Sequence, residues 1–406
     1  GESQGRGTRL RRLLLASEVA LALVLLVGGG LLLRSFRALS RVALGYETGN
    51  VATFKLSLID SEYPYAGPEK IAGFYRDLTQ RIEAMSGVEA AGASTELPLD
   101  SADSGLAPPY AYESDQGVVE WGTRTAKVGA VTPGFLEAID ATLLEGRLFE
   151  WTDDLAHPPV VVVDDLLARA AWPEESAVGK RLQVTTFVRG EFQRTWCEVV
   201  GVVAHVRHDP SGIGEEQIFL PHPQNPMRTM TFAVEGALPL DMLEEQARRE
   251  VRALEPSQPI HSIRPMEDYR VDALATHRFT RNTLGSFAVV ALVLAALGVY
   301  GVMAFAVSRR TREIGLRMAL GASPRRIRRQ VIREGVVLVA PGIALGLAGA
   351  YALSRFLSSL LYQVEASDPA TFALVAVALL AVALAACYVP GRRASSLNPL
   401  EALREE

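Results

Sequence analysis

Two histidines, three acidic pairs and one Gly-Lys pair are the residues whose types and spacing come nearest to chemistry. His205 and His208 stand three apart and Asp209 follows, all of them metal-ligand types. No Cys lies nearby, and His157 and His222 are far away in sequence, so the pair reads as turn histidines beside a strand end. Asp153-Asp154, Asp164-Asp165 and Glu215-Glu216 could supply an acid and a base, but adjacent acids more simply mark solvated faces. Gly179-Lys180 lacks a glycine five residues before Gly179, so it does not build the loop that cradles phosphates. No serine, histidine and acid set stands out as a nucleophilic site. The chain is expected to carry no catalytic residue, no metal and no cofactor of its own.

A stronger pattern is electrostatic. Nine arginines and one acid, Glu313, fall between Ser308 and Arg333. Within this loop Arg309–Leu320 reads as a short helix. Ile314 and Met318 share a face at i,i+4 spacing, and Arg312, Glu313 and Arg317 point elsewhere. Gly321-Ala322 breaks it, Ser323 is placed as an N-cap, and Pro324 suits the first turn of a second helix through Ile327 and Val331. A basic loop can simply bind anionic headgroups. A basic loop with a rigid elbow can also hold a docking surface for a partner protein.

Four apolar segments must position that loop: Leu13–Leu33, Leu284–Val307, Gly335–Leu353 and Ala370–Val389. Each approaches the ~20 residues that cross hydrocarbon as a helix. The second and fourth carry no charge, and Pro341 in the third is tolerated in spans. Glu18, about one turn inside the first, fits the headgroup level or an arginine pair, with a polar contact between helices as the alternative. Leu31-Leu32-Leu33-Arg34 stands where a cleavage site would need small residues, so the first segment is read as a retained span. Gly342, Gly346 and Ala350 form a small-residue stripe that allows close helix packing in the third span. The chain starts at Gly1 instead of Met and is expected to be a piece of a longer protein.

Charge orients the spans. Arg6, Arg9, Arg11 and Arg12 precede the first, nine arginines lie between the second and third, and Arg392 and Arg393 follow the fourth. Four spans put these groups on one side, which the charge rule assigns to the cytoplasm. Arg34, Arg37 and Arg41 dissent at one boundary. Residues 42–283 then lie outside, with 21 Lys and Arg against 37 Asp and Glu, a net charge of −16 hidden within the overall −5. So acidic a domain is not expected to bind nucleic acid. Cys197 falls in this domain and Cys387 in the fourth span, so no disulfide framework is expected.

Within 42–283, Val51–Ile59, a helix over Pro68–Met85 and Val88–Thr95 read as a β-α-β unit. Met230–Glu235, Leu240–Leu254 and Pro259–Ile263 read as a second. Between them, about 99–225 is an insertion with strand signals at Val160–Val163, Arg181–Val188 and Glu198–Val206. Met266–Val307 contains little to stop a helix, so a continuous stalk (266–283) is expected to run into the second span.

Arg312-Glu313-Ile314-Gly315-Leu316-Arg317 and Ala319-Leu320-Gly321-Ala322 resemble the REIGLRxALGA loop of FtsX/MacB-type ABC transporter permeases. The tail Asn398–Arg404 resembles the tail of that family. VTPGFLEAI (131–139), LLEGRLF (143–149), VGKRL (178–182) and EVVGVVAHVRHD (198–209) are similar to its MacB-like core domain. The resemblance spans nearly all of 8–406 and is closest to the second half of the large two-unit bacterial permeases. This chain shows no internal repeat, and His205 stands where relatives often have Asp, so no role is carried over there.

The resemblance implies an α+β membrane protein of the bacterial inner membrane, with both termini cytoplasmic. One transmembrane helix (13–33) precedes a periplasmic core domain (42–283) built from two β-α-β units and a β-rich insertion. Helices at 284–307, 335–353 and 370–389 follow, with the coupling loop at 308–334 and a tail at 390–406. It implies a second permease unit, as homodimer or fused half, and a separate ABC ATPase subunit that uses ATP and Mg. A periplasmic adaptor and membrane lipid complete the implied partners. The implied function is export, or alternatively FtsX-like relay of motion to a periplasmic enzyme. The coupling residues would be Arg312, Glu313, Ile314, Gly315, Leu316, Arg317, Leu320, Gly321 and Ala322. Glu313 would accept hydrogen bonds from the ATPase, Gly315 would permit close approach, and Arg317 would pair with an acidic surface.

Overall fold

A computed structural model describes residues 2–39, 44–58, 67–100, 107–114, 117–188, 191–208, 214–320, 322–357 and 364–396. In chain order the elements begin with α1 (Glu2–Leu39), β1 (Val51–Ser57), α2 (Pro68–Glu83), β2 (Val88–Ser94), β3 (Pro109–Ser114), β4 (Gly117–Thr125) and β5 (Lys127–Val131). Next come α3 (Phe135–Ala138), β6 (Leu143–Gly146), β7 (Val160–Asp164), α4 (Asp165–Ala171), β8 (Arg181–Val188), β9 (Glu191–Val203) and β10 (Gln217–Pro221). The last are β11 (Thr229–Gly236), α5 (Leu240–Leu254), β12 (Ile260–Pro265), α6 (Met266–Ala273), α7 (Ala275–Arg309), α8 (Thr311–Ala319), α9 (Pro324–Leu357) and α10 (Pro369–Ser395). They fall into two units, Val42–Ala275 and the combination of Gly1–Arg41 with Thr276–Glu406.

In the first of these, both β-α-β units contribute to one antiparallel sheet in the order β12-β1-β11-β2. This is the split β-α-β arrangement. Pro68 starts α2, and its stripe of Ile71, Phe74, Leu78 and Ile82 is buried. Leu243, Ala247 and Val251 do the same for α5. Both stripes pack on Phe54, Leu56, Met230 and Phe232 of the sheet. Phe54 and Phe232 are register partners whose rings stack at 4.7 Å. Burial of each such side chain contributes about 1.5–3 kcal/mol. Tyr75, buried among them, donates its hydroxyl to the Arg228 carbonyl at 2.7 Å and so leaves no orphan.

The middle of the chain extends the same sheet instead of forming another. β2 meets β5 through Ser94 and Val131, and the order continues β5-β10-β7-β9-β8-β3-β4, with β6 on β9. β7, Val160–Asp164, is buried at every residue, parallel to β9 and antiparallel to β10. A strand covered on both faces reads as a continuous apolar run.

Two expectations change. β9 starts at Glu191, well before Glu198, because its first half pairs with β8 in a hairpin, with residues 191–194 of β9 exposed. The expected continuous stalk is interrupted at Leu274 (φ −89°, ψ −3°), between α6 and α7. No Pro or Gly marks the break. Leu274 is buried, and its N–H still bonds the Arg270 carbonyl at 3.2 Å. Met266 and Tyr269 of α6 belong to the core of their own unit.

The other unit holds four helices long and apolar enough to span a membrane, within α1, α7, α9 and α10. Arg34, the dissenting charge after the first span, is neutralised there. It pairs with Asp368, which also caps α10 by accepting from Thr371 N at 2.9 Å. Glu18 has neither ion pair nor hydrogen bond among the described residues. Its carboxylate occupies the space where a Cβ on Gly298 of α7 would stand, so it makes a contact between helices.

Candidate docking surface on the basic loop

The loop folds as an elbow. α8 begins after Arg310, and Thr311 Oγ1 donates to the Ser308 carbonyl at 2.9 Å. Ile314 is buried and joins Ile327 and Val331 of α9 in one apolar cluster with the spans. Gly315 is buried beside it. The turn is closed by Leu320 N to the Leu316 carbonyl (3.0 Å) and Ala322 N to the Arg317 carbonyl (2.9 Å). Gly321 lies outside the described residues, as does the tail 397–406. Ser323 serves α9 through its carbonyl, which accepts from Arg326 N at 2.9 Å, and its hydroxyl makes no capping bond.

Polar side chains stiffen the elbow from outside. Glu313 and Arg317, four apart on α8, form an ion pair with each other. Arg317 also donates to Gln330 Oε1 (3.2 Å), Gln330 donates to Glu334 Oε1 (3.1 Å), and Glu334 pairs with Arg310 at 3.4 Å. This chain of contacts ties α8 to α9. Gln330 and Glu334 were not anticipated from sequence; an acid and an amide four apart, set among arginines, were the available signal.

The expected coupling residues therefore divide. Ile314 and Gly315 face inward and hold the elbow. Glu313 and Arg317 satisfy each other while staying about half exposed. Arg312 is exposed and has no ion pair among the described residues. Leu316 and Leu320 present apolar surface outward, and Leu320 is 86% exposed. Arg325, Arg326, Arg329 and Arg333 are exposed along α9 and have no ion pair among the described residues. Such a surface can do no covalent chemistry. It fits an acidic partner face with a pocket for a leucine side chain.

Gly342 and Gly346 lie against α1 of the same chain. A Cβ at Gly342 would stand 2.8 Å from Val19 Cβ and 2.9 Å from the Ala16 carbonyl oxygen. One at Gly346 would stand 2.9 Å from Leu23 Cβ and 3.0 Å from the Ala20 carbonyl oxygen. Ala350 is buried on the same stripe.

The other candidates are structural. His205 Nδ1 lies 2.6 Å from Asp164 Oδ2, and Asp164 Oδ1 accepts from Leu167 N and Gln217 N. Burial raises the Asp164 pKa against the pull of His205 and these N–H groups. Burial, with Lys127 and His205 adding, pushes His208 down to about 3. Asp209 lies outside the described residues. The acidic pairs are not simply solvated faces. Asp153 is buried and takes two 2.8 Å bonds from Arg147. Burial works against its charge, but Arg147 and the Glu150 N–H hold its pKa below the usual range. Glu216 pairs with Arg124 and accepts from Tyr110 at 2.7 Å.

Two family models match this chain: a MacB-like periplasmic core domain over residues 20–254 and an FtsX-like permease C-terminal domain over 285–399. A macrolide export ATP-binding/permease protein MacB of Marinobacter nauticus is 29% identical over 304 residues, covering 70% of this chain and 44% of that protein. A probable export ATP-binding/permease protein MacB of Pseudomonas entomophila is 23% identical over 391 residues, covering 92% of this chain and 54% of its own length. The chain thus spans about half the length of these relatives. Among solved structures, the periplasmic region of MacB from Actinobacillus actinomycetemcomitans aligns with 58% of this chain and 97% of its own, at 12% identity and a TM-score of 0.36.

Proposed function

From its membership in the MacB-like, FtsX-like family of ABC transporter permeases, established by two models that together cover residues 20–254 and 285–399, we propose that this chain is the permease part of an export system driven by a separate ATPase. The relatives' names join an ATP-binding part to a permease part, and this chain matches about half of their length. The ATPase docks on the α8–α9 elbow from the cytoplasm, where the basic loop is drawn by the charge rule. Its closure moves the elbow, and the motion passes along the spans to the domain outside the membrane. A second permease unit completes the assembly, and ATP and Mg are held by the partner.

The observation that carries this reading is the outward pairing of Leu316 and Leu320 with exposed arginines on an elbow braced from behind. A loop that only held headgroups would need no brace between α8 and α9. Glu313 and Arg317 shape the surface first, by pairing with each other, and meet the partner with their exposed halves. Glu313→Arg places like charges four residues apart on α8. The expected result is a chain that inserts normally but stimulates ATP hydrolysis by its partner several-fold less. Equal stimulation by wild type and variant overturns the proposal.

A further inference from the structure

We infer that the membrane unit is built from a locked block of α1, α9 and α10 against which α7, the second span, slides. Within the block, helices meet backbone to backbone. The Gly342 and Gly346 notches on α9 receive Val19 and Leu23 of α1 at distances no side chain could share. Gly335 of α9 is filled by the Cys387 side chain of α10, and a Cβ at Gly30 of α1 would come within 3.0 Å of Thr371 of α10. The Arg34–Asp368 pair closes one end of the same block. Interlocked glycine seams of this kind resist shear because ridge and notch must separate before they can move.

The seam with α7 is of another kind. Among the described residues Gly285 and Gly301 of α7 have nothing within 4 Å, and the three atoms nearest a Cβ at Gly298 are the carboxyl group of Glu18, the far end of a flexible side chain. Gly29 of α1 faces α7 as well, and its Cβ would stand 3.6 Å from that of Ala288 and 3.8 Å from the Leu284 carbonyl oxygen, ordinary van der Waals distances. Several further contacts are made by long side chains, among them Met303, whose Sδ would stand 3.9 Å from a Cβ at Gly335 of α9. Arg11 lies over the Phe305 ring at 4.3 Å, Arg281 over Phe36 at 4.3 Å, and Arg393 donates to the Tyr300 hydroxyl at 3.3 Å. Side chains of this length follow a displacement of a few ångströms by changing rotamers. Ala288, Ala295, Val299 and Met303 keep the seam apolar and buried throughout. α7 also leads directly into the α8 elbow after Arg310, so motion of the elbow is passed to α7 along the chain.

Spin-label pairs on exposed positions of the full chain in lipid nanodiscs test this, with Cys197 replaced by Ala and Cys387 by the near-isosteric Ser, which keeps the Gly335 notch filled. Leu33 of α1 is paired in turn with Phe279 of α7, Phe356 of α9 and Leu374 of α10, all exposed, so that labelling leaves the packing intact. Pulsed electron double resonance is expected to give one narrow distance for the Phe356 and Leu374 pairs. For the Phe279 pair it is expected to give two distances, separated by about 2–5 Å, the range from a helix shift to a one-turn ratchet. One equally narrow distance for all three pairs overturns the inference, as does equal splitting in all three. No ATPase is present in this measurement, so its outcome is independent of the docking proposal.

Discussion

Leu320→Ala separates docking from folding more cleanly than any other change in the loop. Leu320 is 86% exposed and lies at the end of α8. Truncating it should alter the stability of the chain by less than about 0.5 kcal/mol, the usual range for exposed surface positions. A partner pocket that buries this side chain loses three carbons on truncation. At about 0.8 kcal/mol per methylene, that is about 2 kcal/mol of binding free energy. A tenfold change in Kd is 1.4 kcal/mol, so the ATPase should bind the variant about 30-fold more weakly. The assay is titration of the purified ATPase against the chain in nanodiscs, wild type and variant, with thermal unfolding of each in parallel. Affinity unchanged within about twofold, against that 30-fold expectation, would refute burial of Leu320 by the partner. A lowered melting temperature would instead show that Leu320 supports the elbow, contrary to its exposure.

Two further outcomes are expected. Gly342→Ala drives a Cβ against the Ala16 carbonyl oxygen, which cannot yield without moving α1, and should cost about 1–3 kcal/mol in thermal unfolding. Gly301→Ala, with nothing within 4 Å, should be neutral or stabilising by up to about 1 kcal/mol, and equal losses at both would contradict the seam assignment. His222 is fully buried, its Nδ1 has no partner, and burial holds its pKa down to about 4 despite an Nε2 contact with the Met227 carbonyl. The folded state therefore stays neutral where the unfolded chain takes up a proton below about 6.5. Stability is full above that pH and falls by about 1.4 kcal/mol per pH unit between 6.5 and 4. His222→Gln should remove about one proton from that slope in denaturant titrations; an unchanged slope would place the imidazole in contact with water.

Much of this architecture was legible because its signals are local and periodic. α5 ends where its stripe of Leu243, Ala247 and Val251 ends, and the four apolar segments correspond to four long helices. β4 was not legible: it is largely exposed, carries two glycines and sets Val118 beside Val119, so no clean alternation marks it. β5 and β10 pair in parallel across ninety residues of sequence, and neither is long enough to show a period. The break at Leu274 carries no Pro or Gly, so a helix-forming sequence conceals it. In the loop, sequence indicated the elbow and its charges. The Glu313–Arg317 pair is an i,i+4 spacing on one helix that the sequence already carried, whereas the cross-links from Arg317 to Gln330 and from Arg310 to Glu334 depend on how α8 folds back on α9.

The central claim is that the elbow is a platform for an ATPase. Its most direct test is a gentle-detergent purification of the chain from native membranes, with mass spectrometry of the proteins that accompany it. The account predicts a Walker-motif ATPase at stoichiometric levels, lost from the Glu313→Arg chain while membrane insertion persists. Recovery of extracytoplasmic proteins alone, with no ATPase in either preparation, would contradict it and leave the arginines as an anchor to lipid headgroups.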